Sequence, residues 1–110
     1  MNPYVALTLA IFAEVAATSA LKASAQFTQL WPSTIVVVGY GISFYLLTIV
    51  LESLAIGVTY AIWSAVGIIL VTLAAIPLYR QLPDGAALLG IGLIIAGVLV
   101  IHLFSESARI

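Results

Sequence analysis

Four long apolar runs dominate the sequence, over residues 4–21, 33–51, 58–79 and 86–104. Each is about 18–22 residues long, enough as a helix to cross a hydrocarbon layer roughly 30 Å thick. Gly, Pro and charged residues mark the breaks between them: Lys22 ends the first run, Trp31-Pro32 opens the second, Glu52 closes it, Arg80 stops the third and Pro83-Asp84-Gly85 precedes the fourth. Such lengths, predominantly apolar and without period-two alternation, call for helices rather than barrel strands. The reading is an all-α integral membrane protein, a single four-helix transmembrane domain over 1–110.

Composition closes off the alternatives. With 65% hydrophobic and 6% charged residues, the chain cannot cover an apolar core with polar side chains, so lipid solvates most of its surface. Disorder is excluded by the same figures. Three basic residues, at a net charge of −1, build no patch for nucleic acid. The absence of cysteine and the single histidine, His102, leave no disulfide framework and no metal cluster. No nucleophile–base pair points to an enzyme, and no cofactor motif occurs. Ala23-Ser24-Ala25 imitates a signal-peptide cleavage site, but the start of the chain lacks a positive region and Glu14 interrupts its apolar stretch, so the first span is expected to remain.

Pro32 is placed where a helix start tolerates it, and Asp84 where it caps the fourth helix. Tyr4, Trp31 and Tyr79 fall at span ends, as interfacial aromatics do. Glu52, Asp84, His102, Glu106 and Arg109 read as interfacial or solvated ends. Short connections make consecutive helices antiparallel. Lys22 and Arg80 then face one side and Arg109 the other, a bias that fits either a fixed topology or insertion in both orientations.

Glu14 is the residue that demands a function. A carboxylate near the middle of a span is costly, and intramembrane acids face a partner or a wet cavity. No lysine or arginine lies within any span. Glu14 is therefore either neutral or ionised beside a mobile cation, which is the chemistry of a proton-for-cation exchanger. The plainer alternative is a protonated acid hydrogen-bonded between helices. Helical spacing gives Glu14 the small neighbours Ala10, Ala17 and Thr18, which leave room for a ligand or for close helix packing. Tyr40, Ser43 and Phe44 form a stripe on the second span, and Tyr60, Trp63, Ser64 and Gly67 one on the third. Aromatic rings around an acid suit lipophilic cations, though such stripes also serve as packing. Gly57 and Gly67 are candidate hinges. Gly90, Ile94 and Gly97 make a small-residue seam on the fourth span. Two copies would enclose an organic cation more readily than one.

Taken together, Glu14, Lys22, Phe27-Thr28, Trp31-Pro32-Ser33, Tyr60-Ala61-Ile62-Trp63-Ser64 and the Gly90/Gly97 seam resemble the small multidrug resistance family over essentially the whole chain. The resemblance implies an antiparallel, dual-topology homodimer in a bacterial inner membrane that exports organic cations in exchange for protons. It implies Glu14 as the shared proton and substrate site, a chamber lined by Tyr4, Ala10, Thr18, Tyr40, Ser43, Phe44, Tyr60 and Trp63, and a dimer seam at Gly90, Ile94 and Gly97. Ala17 stands where guanidinium exporters of the family typically carry Trp, and Tyr40 where they tend to lack Tyr. Both favour the type that exports quaternary ammonium compounds over the guanidinium type. Ala17 and Ala65 replace glycines usual in the family, and Pro77 is uncommon there. Ala65 bears on how freely the third helix kinks, hence on exchange rate. A non-transporting partner subunit and a passive channel are the rival functions, the latter disfavoured by the lack of a continuous polar stripe.

Overall fold

Backbone N–H and C=O groups must be satisfied internally in hydrocarbon, and the computed structural model, which describes residues 1–105, meets that demand with four helices. They are α1 (Pro3–Leu21), α2 (Leu30–Val50), α3 (Ile56–Tyr79) and α4 (Gly85–Phe104), each long and apolar enough to cross a membrane. Glu106 and Arg109, expected as solvated ends, lie outside the described residues.

The helix ends follow local chemistry. Asn2 caps α1, accepting from Tyr4 N at 2.8 Å, with Pro3 in the first turn where its missing N–H costs nothing. Asp84 caps α4 as expected, accepting from Ala87 N at 2.8 Å. α2 begins at Leu30, three residues before the expected start, because Pro32 fits inside a first turn as well as before it. Ser33 N then closes that turn on Gln29 O at 3.1 Å. α3 likewise begins early, with Thr59 N bonded to Ala55 O at 2.9 Å, and takes Gly57 into its first turn. Pro77 lies inside α3, close to its end. The helix stops at Arg80, which is left-handed (φ 55°), with Arg80 N bonded to Ile76 O and Gln81 N to Ala75 O. That paired arrangement satisfies the last carbonyls without a glycine.

The chain divides after Val50 into two compact units. In the first, α1 and α2 pack along much of their length, burying Ala6, Leu7, Ala10, Ile11 and Ala17 of α1 and Val36, Ser43, Leu46 and Val50 of α2. Gly39 permits this approach: a β-carbon there would lie 2.9 Å from both Ala13 O and Ala17 Cβ. The connection is wound around Ser24, whose carbonyl accepts from Thr28 N and Gln29 N at 2.9 and 3.1 Å and whose Oγ donates to Leu21 O. Ala25, Gln26 and Phe27 are all left-handed, a conformation costing a non-glycine residue roughly 1–2 kcal/mol.

In the second unit α3 and α4 meet more sparsely. Thr59, Trp63, Ala65 and Gly67 of α3 are buried, whereas α4 buries nothing. The most apolar of the four helices is thus the least covered by protein, as expected where lipid or another polypeptide is the solvent.

Candidate functional site

Glu14 sits in the middle of α1 and is half-buried. One turn on, Thr18 Oγ1 donates to Glu14 Oε1 at 2.7 Å. The same oxygen is 2.6 Å from Tyr40 Oη on α2. Three polar groups from two helices thus form a continuous chain, Glu14–Thr18–Tyr40. It exists because the Ala13/Ala17–Gly39 contact lets α1 and α2 close enough for a short threonine to reach a tyrosine. Tyr40 in turn stacks on Phe44, with ring centroids 6.0 Å apart and planes 16° from parallel.

Neither α1 nor α2 contains a lysine, arginine or histidine. Thr18 supplies a hydroxyl dipole to Glu14 but no compensating charge. An ionised Glu14 thus has a hydrogen bond in place and lacks a fixed counterion on its own helix pair. This arrangement can accept a proton or a positive ligand at the same oxygens.

The other residues expected at the site divide by unit. Tyr4 is exposed in the first turn of α1. Ala10 is fully buried, so it shapes the helix contact. Ser43 is buried as well, and its Oγ donates to Tyr40 O at 3.0 Å, bracing the backbone of the residue that meets Thr18. Phe44 is exposed beside Tyr40. On α3, Tyr60 is 72% exposed and Trp63 only 8%. The two were expected on one stripe, but the residues that α3 buries are Thr59, Trp63, Ala65 and Gly67, and Tyr60 is not among them. Gly57 lies in the first turn of α3 with open space around it, and Gly67 is buried. On α4, Gly90 and Gly97 have open space where a β-carbon would project, and Ile94 is exposed. Among the described residues no cluster of His, Cys, Asp and Glu could hold a metal ion.

In the sequence Thr18 is a small side chain beside Glu14 and, by the resemblance, part of the chamber lining. The structure makes it the bridge. The spacing of four residues was a signal for such a bond, but nothing in the sequence indicated that Tyr40 would reach the same atom. Ser24, the pivot of the first connection, was missed as well.

Comparison with known proteins places the whole chain. The family model described as Small Multidrug Resistance protein matches residues 2–94. A protein of Pseudomonas aeruginosa named as a multidrug transporter is 55% identical over 108 residues, 98% of each chain. Quaternary ammonium compound-resistance protein QacE of Escherichia coli is 46% identical over 108 residues, again 98% of each chain. Multidrug transporter EmrE of Escherichia coli is 47% identical over 107 residues, 97% of each chain.

Proposed function

The chain belongs to the Small Multidrug Resistance protein family, and from that premise we propose that it is a proton-coupled antiporter exporting lipophilic and quaternary organic cations, with proton and substrate competing for Glu14. It is a multi-pass protein of the bacterial inner membrane, a transporter rather than an enzyme. The observation that carries the proposal is the Glu14 carboxyl in the middle of α1, held by the Thr18 hydroxyl on a helix pair without a basic residue.

Exchange follows from charge balance in a medium that tolerates neither a bare carboxylate nor a bare cation. A cation bound at ionised Glu14 and a proton bound at the same group are mutually exclusive neutral states. Protons entering down their gradient each contribute about 1.4 kcal/mol per pH unit and about 2.3 kcal/mol per 100 mV. In this reading Tyr40 and Phe44 present ring faces to the substrate, as do Tyr60 and Trp63, with Tyr4, Ala10, Thr18 and Ser43 completing or bracing the lining. Two copies associate as an antiparallel homodimer through Gly90, Ile94 and Gly97, where the open glycine faces accommodate a closely approaching helix. Inverted pairing makes inward-open and outward-open forms equivalent, and bending near Gly57 and Gly67 links them. Lipid and the second copy are its structural partners. The name of QacE supports quaternary ammonium compounds as the substrate class.

The test is transport in liposomes containing the purified protein alone. An imposed pH gradient drives uptake of a quaternary cation by the unmodified protein, and Glu14→Gln abolishes both binding and uptake. Since one proton displaces one ligand, cation affinity falls as the proton concentration is raised. Uptake by Glu14→Gln at the unmodified rate would reject the mechanism. Absence of any transport by the unmodified protein would instead favour a partner-subunit role.

A further inference from the structure

Helical threonines commonly return their hydroxyl proton to the carbonyl one turn back. Thr8 and Thr34 do so, each donating at 2.8 Å, to Tyr4 O and Leu30 O. Thr18 does not. Its proton goes to the side-chain oxygen of Glu14 at 2.7 Å, and its own oxygen meets Tyr40 Oη at 2.6 Å.

Counting protons fixes the direction of this chain. A threonine hydroxyl owns one proton, and an ionised carboxylate only accepts. When Glu14 is charged, Thr18 spends its proton on Glu14, so the Tyr40 contact must be donated by Tyr40. The tyrosine then has no proton left, and its free lone pair is an acceptor. When Glu14 carries a proton on Oε1, the chain runs the other way. Glu14 donates to Thr18, Thr18 donates to Tyr40, and the tyrosine proton turns outward.

The geometry points to Thr18 as a positioning residue that sets the polarity of the Tyr40 hydroxyl by the charge on Glu14, making Tyr40 a second recognition point for cations that bear N–H groups. This rests on the reading of Glu14 as the cation's carboxylate. In the charged form Tyr40 accepts an N–H from a guanidinium or a primary, secondary or tertiary ammonium group. A quaternary ammonium ion has no such proton and gains nothing from it. In the protonated form Tyr40 presents a proton, and the acceptor is withdrawn as the ligand loses its counter-charge. The titratable groups on the two packed helices are Tyr4, Glu14, Tyr40 and Tyr45, with Lys22 just beyond α1. Tyr45 is exposed. Glu14 is the only carboxyl among these groups, so it sets the direction.

The experiment compares two probes with one body, benzylguanidinium and benzyltrimethylammonium, binding to the full chain in lipid bicelles by calorimetry at alkaline pH. The quantity read is the ratio of their affinities. Tyr40→Phe and Thr18→Val are each expected to lower the preference for benzylguanidinium by about tenfold, the worth of a hydrogen bond to a charged group. Thr18→Ser retains the ratio, and the double variant falls no further than either single one. A purely structural role for Thr18 would weaken both probes equally and leave the ratio unchanged. Should Thr18→Val fail to fold, Thr18→Ala takes its place. A ratio within twofold of the unmodified protein in Thr18→Val or in Tyr40→Phe overturns the relay, as does multiplication of the two effects. Binding of both probes by Glu14→Gln at full strength overturns the carboxylate reading instead.

Discussion

The two helix pairs are built from similar material and end in different states. α1 and α2 are joined by a tightly bonded connection and meet at a glycine with no spare space, so the polar chain between them is fixed inside one protomer. α3 and α4 touch sparsely, and the glycines of α4 look onto open space. A glycine therefore carries a different meaning in each pair. At Gly39 it admits a neighbour from the same chain; at Gly90 and Gly97 it leaves room that this chain does not use. Without a hydrophobic driving force between helices in lipid, association depends on such close approach and on hydrogen bonds. The first pair has both within the protomer, and α4 brings its small-residue face to whatever it meets outside.

That contrast is most directly broken at Gly39. Gly39→Ala forces a methyl against Ala13 O, a backbone atom that cannot yield, and is expected to cost about 1–3 kcal/mol. Thermal unfolding in detergent measures the loss, and cation affinity should drop with it as Thr18 parts from Tyr40. Adding Ala17→Gly relieves the Cβ contact and leaves the carbonyl contact, so rescue should be partial. Full tolerance of Gly39→Ala would mean that the pair is not closed. Asp84→Ala should cost about 1 kcal/mol by removing the cap of α4, read in the same unfolding assay, with substrate affinity unchanged because the first pair is untouched. Gln26→Gly should raise stability by up to about 1 kcal/mol by relieving left-handed strain. Gly90→Ala and Gly97→Ala should leave the protomer's own stability within about 1 kcal/mol and on the favourable side, since alanine is the better helix former. They sharpen the comparison through a separate readout: cross-linking or sedimentation in detergent should register weaker self-association. Equal dimerisation by both variants would remove the seam from the proposal.

The four helices were legible in the sequence because their lengths and apolarity are dictated by the bilayer and need no knowledge of packing. Asp84 and Pro32 were legible because caps and first turns depend on neighbours in sequence. Glu14 stood out by cost alone. What lay beyond reach depended on which helix faces meet. The shared stripe of Tyr60 and Trp63 on a helical wheel did not reveal that α3 buries Trp63, with Thr59, Ala65 and Gly67, and leaves Tyr60 exposed. Ser43 looked like a lining residue by its stripe, whereas its hydroxyl is returned to the backbone of Tyr40. Thr18 offered two equally ordinary uses for one proton, and the position of Tyr40 determined which one mattered.

The turn at Ala25, Gln26 and Phe27 has a mechanical consequence. A slack connection would let one helix tilt while its neighbour stayed still. Here three residues in succession are wound against their natural hand and tied to Ser24, so the joint transmits torque. On the proposed role of Glu14, a guest that leans on α1 swings Tyr40 along with it, and the hairpin answers as a single lever.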